Sequence, residues 1–401
     1  DFDGAAQTQG FVDVTNVALP ASPIAITVPG AAVAGTYNGT LTVRNTTTGC
    51  VSASLPISVT INPQPTITLD VNPSVCTGAT TANLGYTGTT GSPNQYSIDF
   101  NAAAQTAGFA DVVNAALTAS PIVITVPGAA VAGTYSGTIT VRNTTTGCVS
   151  TSQPISVTIV ASPTITLGPN PSVCVGSTTA NLTYSATTAS PTEYSINFNA
   201  AAETAGFVDV VNAALPASPI VITVPGGVAA GTYNATITVR NTVTGCVSSS
   251  QNISVTVVAN PTITLGANPS VCIGATSANL SYSATTGSPN QYSIDFDGAA
   301  QTQGFVDVTN VALPASPIGI TVPGAAVAGT YNGTLTVRNT TTGCVSASLP
   351  ISVTIDATPA ITLGANPTVC TGDIVAPLSY SATTGGVDQY SIDFNTAAET
   401  E

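Results

Sequence analysis

Residues 133–142 read GTYSGTITVR, and this stretch decides the fold of the chain. Apolar Tyr135, Ile139 and Val141 alternate with small polar residues, which predicts a β-strand with one buried face. A TTTG turn follows, and then the similarly alternating ISVTI of residues 155–159. The stretch therefore predicts two neighbouring strands of an antiparallel sheet.

The same stretch returns every 98 residues, the difference between successive arginines at Arg44, Arg142, Arg240 and Arg338. The cysteines form two series with the same step: Cys50, Cys148, Cys246 and Cys344, and Cys76, Cys174, Cys272 and Cys370. A repeat of this length corresponds to one whole domain. The chain is therefore predicted to be a row of similar domains.

Proline-marked joins before Pro65, Pro163, Pro261 and Pro359 give the expected boundaries. The predicted parts are the C-terminal part of a repeat at 1–61, three whole β-sandwich repeats at 62–159, 160–257 and 258–355, and the N-terminal part of a repeat at 356–401. Because the linkers are short and lack a flexible Gly/Ser run, we expect the domains to be held end to end.

Short strands with turns between them predict an all-β fold of about seven strands per repeat, in a tandem immunoglobulin-like sandwich. Residues 101–109 are the exception and predict a short helix, with Asn101 as its N-cap and Gly108 closing it. Tyr135 fits either a tyrosine corner or an ordinary core position. Pro154 predicts an edge or a bulge in the last strand.

Composition excludes several classes of function. Charged residues make up 5% of the 401 residues, and the net charge is −14. Nucleic-acid binding requires a positively charged surface, so this charge argues against it. No apolar run reaches the roughly 18–20 residues of a membrane span. The chain has no histidine, and its four positive residues are all arginine, which removes the usual catalytic bases. A catalytic pair of carboxylates would have to recur in every repeat, which is rare in enzymes. We therefore predict that the protein is not an enzyme.

Several segments, among them PTITLGANPSVC, GSPNQYSIDF and AAGTYNATITVRNTVTGCVS, resemble a known family. They are similar to the PKD-like or Ig-like repeats of giant secreted surface proteins of Bacteroidota, which include gliding-motility adhesins exported by type IX secretion. The resemblance covers essentially the whole chain. It implies tandem PKD-like β-sandwich domains, a location at the cell surface and attachment to cells or surfaces.

The regular, even set of cysteines predicts disulfides formed in an oxidising compartment. Zinc is the rival, but the sequence contains no CxxC pair and no histidine. Cysteines 26 residues apart, such as Cys148 and Cys174, would be separated by a strand and a linker, a distance of roughly 30 Å or more. A disulfide allows a Cα–Cα distance of only about 6 Å. The predicted bonds are therefore Cys76–Cys148, Cys174–Cys246 and Cys272–Cys344, although an immunoglobulin path would place such partners at opposite poles.

Acidic positions give the candidate metal ligands. They are Asp99, Asn101 and Asp111 in one repeat, Asp295, Asp297 and Asp307 in another, and Asp1, Asp3 and Asp13 at the start of the chain. Such oxygen ligands suit calcium. The alternative is that the first two cap the helix and the third lies on the surface, and Asn197 and Asn199 weaken an ionic cage in the third repeat. We therefore expect no cofactor, and calcium at these positions is the alternative.

The sequence favours a structural stalk or fibre segment of an extracellular adhesin or filament, holding an adhesive tip away from the cell. One alternative is a multivalent array that binds carbohydrate or surfaces, with surface polysaccharide as a partner. The other is a filament subunit in which residues 356–401 of one copy complete residues 1–61 of the next by strand complementation. The expected partners are other copies or continuing repeats, without nucleic acid or membrane insertion.

Overall fold

Short β-strands are the main regular structure in the computed structural model, which describes residues 1–394. This confirms the predicted all-β class with repeated units. Residues 395–401, the last part of the predicted 356–401 segment, lie outside the described residues. The first part of the chain contains α1 (Gly4–Thr8), β1 (Gly35–Leu41) and β2 (Leu55–Ile61).

The next three repeats contain the same elements in the same order. The first consists of β3 (Thr66–Leu69), β4 (Ser74–Cys76), β5 (Thr81–Leu84), β6 (Tyr86–Thr90), β7 (Gln95–Phe100), α2 (Ala102–Thr106), β8 (Val112–Ala116), β9 (Ile122–Thr125), β10 (Gly133–Arg142) and β11 (Gln153–Val160). The second consists of β12 (Thr164–Leu167), β13 (Ser172–Cys174), β14 (Thr179–Leu182), β15 (Tyr184–Thr188), β16 (Glu193–Phe198), α3 (Ala200–Thr204), β17 (Val210–Ala214), β18 (Ile220–Thr223), β19 (Gly231–Arg240) and β20 (Gln251–Val258).

The third consists of β21 (Thr262–Leu265), β22 (Ser270–Cys272), β23 (Ser277–Leu280), β24 (Tyr282–Thr286), β25 (Gln291–Phe296), α4 (Gly298–Thr302), β26 (Val308–Ala312), β27 (Ile318–Thr321), β28 (Gly329–Arg338) and β29 (Leu349–Asp356). The described residues after it contain β30 (Ala360–Leu363) and β31 (Tyr380–Thr384).

Each whole repeat has one five-stranded sheet and two strand pairs. In the first the sheet order is β4-β11-β10-β7-β8, and the pairs are β3-β6 and β5-β9. β10 pairs antiparallel with β11, as the alternation predicted, and it also pairs antiparallel with β7. The three-residue strand β4, which pairs parallel with the end of β11, was not predicted. Strand β4 reaches only the last residues of β11, so Pro154 lies where that side of β11 has no partner, as the proline predicted.

Backbone contacts divide the chain into two compact units. The first comprises Asp1–Ile165, Thr187–Glu193 and Val239–Ser249. The second comprises Thr166–Ala186, Tyr194–Thr238 and the residues from Ser250 onward. The boundaries inferred from the repeat at 62–159, 160–257 and 258–355 stay a prediction.

The core of the first whole repeat lies between the five-stranded sheet and the β5-β9 pair. Ile139 of β10 is opposite Ile98 of β7, and Leu84 of β5 is opposite Ile122 of β9. All four side chains belong to one buried cluster and are at most 2% exposed. At about 25 cal/mol per Å² of apolar area, burial of such side chains is the main stabilising contribution.

Three aromatic rings close one side of this core. Phe109 packs at 5.0 Å from Phe100 and at 4.8 Å from Tyr135, measured between ring centroids. The Tyr135 hydroxyl donates to the carbonyl of Val131 at 2.8 Å. A hydroxyl bonded to backbone a few residues upstream is a tyrosine corner, which selects between the two predicted roles of this residue.

The helix prediction is confirmed. Helix α2 follows Asn101, whose side chain accepts from the Ala104 N–H at 2.9 Å as an N-cap. Gly108, just after the helix, has a φ of +97°, a conformation that glycine adopts without steric cost.

Replacing Ile139 by Ala should destabilise the first whole repeat by about 2–5 kcal/mol, because the side chain is fully buried. Amide exchange within β10 should then be roughly 30-fold faster or more. Val113→Ala, at a side chain 75% exposed, is the matched control and should leave exchange unchanged. Equal acceleration in both variants would contradict the assigned core.

Candidate functional site

Cys76 is the last residue of β4 and directly precedes a turn beside the C-terminal end of β11. It is opposite Val160, the last residue of β11, in the parallel β4-β11 pair. The Thr77 N–H donates to the Val160 carbonyl at 2.8 Å, and the Ala79 N–H donates to the Cys76 carbonyl at 3.0 Å. Backbone hydrogen bonds on both sides of the cysteine therefore fix the position from which its side chain extends.

Cys246 closes the hairpin between β19 and β20. The Asn241 N–H donates to the Cys246 carbonyl at 2.9 Å, and Asn241 Oδ1 accepts from the Val243 and Thr244 N–H groups at 2.9 and 3.1 Å. The Asn241 amide also donates to the Ala189 carbonyl at 2.8 Å. One asparagine thus holds the hairpin in shape and ties it to a neighbouring turn.

The two kinds of cysteine are joined by disulfides. Cys76 is bonded to Cys246 with a Cα–Cα distance of 5.6 Å, and Cys174 to Cys344 with a distance of 5.5 Å. Both bonds span 170 residues, which is one 98-residue repeat plus the 72 residues between the two cysteine types. Each bond therefore joins the turn of one repeat to the hairpin of the repeat that follows, and each lies within one compact unit.

The predicted pairs Cys76–Cys148, Cys174–Cys246 and Cys272–Cys344 are wrong. Within one repeat Cys76 is opposite the last residue of β11, whereas Cys148 precedes its first residue, Gln153. The eight residues of β11 extend for roughly 26 Å at 3.3 Å per residue, far beyond the reach of a disulfide. The regular spacing of the cysteines allowed a bond over 170 residues, but the prediction weighed only the steps of 26 and 72.

Four cysteines are free among the described residues: Cys50, Cys148, Cys272 and Cys370. Cys148 and Cys272 were predicted to be bonded. The thiols of Cys50, Cys272 and Cys370 are exposed, and Cys148 is half-buried. The structure thus contains both bonded and unbonded examples of each cysteine type.

The acidic candidates mostly have structural roles. Asp111 Oδ1 accepts from the Phe100 N–H at 2.8 Å, and both its carboxylate oxygens accept from the Gln105 side chain. Asn101 caps α2, as described above. In the last whole repeat Asp307 accepts from Phe296 N–H at 2.9 Å, and Asp297 caps α4.

Asp99 and Asp295 face open grooves instead. Asp99 shares one with Ser97, Asp111, Thr138 and Thr140. Asp295 lines a different groove, together with Asp297, Asn332 and Thr334. Within residues 1–394 no group of three or more His, Cys, Asp or Glu side chains is placed to hold a metal ion. The expectation of no cofactor stays a prediction with calcium as its alternative, and the carboxylates at positions 111 and 307 already have protein donors.

The arginines have local roles. Arg240 forms an ion pair with Glu193, with 3.5 Å between Nη1 and Oε2. In the first whole repeat Gln95 takes the place of this glutamate, opposite Arg142 in the β7-β10 register. An exposed pair of this kind contributes at most about 1 kcal/mol. The arginine positions therefore do not define a ligand site.

No helix among the described residues is long and apolar enough to cross a bilayer.

No protein-family model and no curated protein matches the chain. Solved structures that it resembles include Sidekick-1 immunoglobulin domains 1–5, at 18% identity and a TM-score of 0.26 over 85% of this chain and 71% of that one. Chicken CNTN1 FN1–FN3 domains match at 12% identity and 0.32, over 73% and 98%. A structure of a 1.5-MDa bacterial ice-binding adhesin matches at 13% and 0.33, over 74% and 99%. At these scores the matches carry no functional argument.

Removing one disulfide should loosen one hairpin. Trypsin cuts after arginine, and Arg240 and Arg338 each directly precede a bonded hairpin. In Cys76→Ser, native-state cleavage at Arg240 should become faster while Arg338 stays protected. Cys174→Ser should show the reverse.

Cys50→Ser removes a thiol that is already free and should change neither rate. Fragments separated by gel and identified by mass give both rates. Equal acceleration at both arginines in either single variant would contradict the assigned bonds.

Replacing Asp111, Asp209 and Asp307 by Ala should lower the melting temperature, because each carboxylate accepts a backbone N–H that would lose its partner. A lost hydrogen bond of this kind costs about 1–3 kcal/mol per repeat. The loss measured by calorimetry should be the same in calcium and in chelator. A wild-type melting temperature that rises in calcium while the variant's does not would instead support a calcium site.

Proposed function

We propose that the chain is a stalk or fibre segment of an extracellular, repetitive surface adhesin or filament, which holds an adhesive tip away from the cell. The observation that supports this is the bond from the turn of one repeat to the hairpin of the next, seen at Cys76–Cys246 and Cys174–Cys344. A disulfide between successive domains suits a stalk, because it keeps their relative orientation fixed when the chain is under tension.

The joint has two covalent connections. One is the main chain, in which only three residues separate the end of β11 at Val160 from the start of β12 at Thr164. The other is the disulfide between Cys76 and Cys246. A short linker restricts the reach of the second domain, and a second covalent connection beside that linker opposes rotation about it. Together they favour a stiff rod over a flexible string.

The disulfides also support an extracellular location, since such bonds persist in oxidising compartments. The resemblance of the repeats to surface proteins of Bacteroidota leads us to include export by type IX secretion in the proposal. We propose no catalytic activity. The carboxylates of the described repeats serve as caps and acceptors, and no His or Lys is available to act with them.

A multivalent carbohydrate-binding array is the second candidate. One observation favours it, the groove in which Asp99, Asp111, Thr138 and Thr140 offer hydroxyl and carboxylate groups on the open side of the sheet. Sugar sites also use exposed aromatic rings. Between residues 62 and 355 every Tyr and Phe is buried or half-buried, so the stalk remains the better supported function.

Small-angle X-ray scattering tests the stalk directly. A single 10-residue strand such as β10 extends for roughly 33 Å, so three sandwiches in a row should give a radius of gyration above about 30 Å. A compact arrangement of 401 residues would give roughly 22 Å and would contradict the proposal.

The double variant Cys76→Ser, Cys174→Ser serves as the control for stiffness. It should keep the folded repeats while broadening the distribution of interatomic distances. Binding of the intact chain to polysaccharide without an elongated shape would favour the second candidate.

A further inference from the structure

The free turn at Cys272 is built like the bonded turn at Cys174. Cys272 is opposite Asp356 in the parallel β22-β29 pair, and Cys174 is opposite Val258 in β13-β20. The Ile273 N–H donates to the Asp356 carbonyl at 2.9 Å, as the residue after Cys174 does to Val258. The exposed thiol of Cys272 is therefore held as in the bonded repeats, but it has no partner.

The free hairpin at Cys50 is likewise built like the bonded hairpin at Cys246. The Asn45 N–H donates to the Cys50 carbonyl at 2.9 Å, and Asn45 Oδ1 accepts from the Thr47 and Thr48 N–H groups at 3.0 and 3.2 Å. Its cysteine is exposed and unbonded, whereas Cys246 is bonded and 1% exposed.

The observed register specifies which partner each thiol needs. A turn cysteine bonds the hairpin cysteine 170 positions later, so Cys272 requires position 442 of a continued repeat, outside these 401 residues. Position 442 is Cys50 shifted by four steps of 98. The Cys50 hairpin of a second copy therefore matches the hairpin that Cys272 requires, both in its structure and in its position within the repeat.

Residues 24–43 expose the side chains that whole repeats bury. Ile24 and Ile26 are 44% and 38% exposed, whereas the equivalent Ile122 and Ile124 are 1% and 4% exposed. In the whole repeat the strand of Ile122 pairs with β5. The described residues 1–61 contain no equivalent of β5.

Residues 361–394 expose the complementary side chains. Leu378 and Ile392 are 39% and 58% exposed, whereas the equivalent Leu84 and Ile98 are at most 2% exposed. In the whole repeat Leu84 is directly opposite Ile122. Leu378 of one copy would therefore lie opposite Ile24 of another, and the two open faces would form one sandwich.

We propose that Cys272 of one copy forms a disulfide with Cys50 of a second copy, while residues 361–394 of the first cover residues 24–43 of the second. Two thiols lose two protons and two electrons, which a small disulfide such as oxidised glutathione accepts to give two thiols. The inference rests on the proposed fibre and names its partner, a further copy of this chain. In a chain carrying more repeats, the same bond would form within one molecule.

Single-thiol variants test this pairing. Both partners carry Cys148→Ser and Cys370→Ser, and both keep the two observed disulfides. The turn partner also carries Cys50→Ser and is labelled with ¹⁵N, whereas the hairpin partner carries Cys272→Ser and is unlabelled. With oxidised glutathione, the mixture should give a species of twice the 39.5 kDa chain mass on a non-reducing gel. Neither partner alone should give it.

The isotope label identifies the source of the bond. Because each molecule keeps its Cys76–Cys246 bond, a Cys272–Cys50 bond should give a tryptic assembly of four peptides, heavy 45–142 and 241–338 joined to light 45–142 and 241–338, whereas pairs of a single label contain only the internal bond. A turn partner mixed with a variant keeping only Cys370, which is also a turn cysteine, is the matched control and should stay monomeric. Ile24→Asp in the hairpin partner should slow dimer formation at least 10-fold.

Three results would overturn the inference: a mixture that stays monomeric, a Cys370 control that dimerises equally well, or no effect of Ile24→Asp. None of them bears on the stalk, which depends on the radius of gyration of a single chain. Conversely, a compact radius of gyration for the single chain would contradict the stalk proposal even if the mixture dimerises.

Discussion

A disulfide between a fixed turn and a fixed hairpin is the constraint on which the relation between successive repeats depends. Cys76 extends from a turn that is hydrogen-bonded to the last residue of β11, and Cys246 from a hairpin held by Asn241. Both backbones are held by hydrogen bonds of their own, independently of the bond between the sulfurs. In the chain-entropy estimate a closed loop of 170 residues is worth at most about 5 kcal/mol.

The sandwich brings the two cysteine types to opposite ends of each repeat. β4 places the turn beside the end of β11, and the hairpin precedes the start of the same strand. The length of that strand prevents a bond inside the repeat and leaves each cysteine free to meet a neighbour. Because the two cysteine types recur at a fixed spacing and lie at opposite ends of the sandwich, the bonds form between consecutive domains. The stalk proposal rests on these bonds.

Local patterns predicted the local structure well. The alternation in residues 133–142 gave β10, and Asn101 and Gly108 gave the bounds of α2 to within two residues. The strand β4 was missed because SVC is too short to show a period. Its parallel pairing with β11 depends on residues more than 80 positions away, which no local pattern contains.

The cysteine pairing was wrong for a related reason. The repeat identifies which cysteines are equivalent. The partner of each cysteine, however, depends on the end of the sandwich at which that cysteine lies. The acidic candidates show the same limit, since the sequence could not distinguish a carboxylate that binds metal from one that accepts from Phe100 and Gln105, as Asp111 does.

Non-reducing tryptic mapping tests the disulfide register most directly. Cleavage after the four arginines separates every bonded cysteine from its partner, so each bond links two identifiable peptides. The register predicts that peptide 45–142 is linked to 241–338, and peptide 143–240 to 339–401. Links between consecutive peptides, such as 45–142 with 143–240, would show bonds within single repeats and contradict the account.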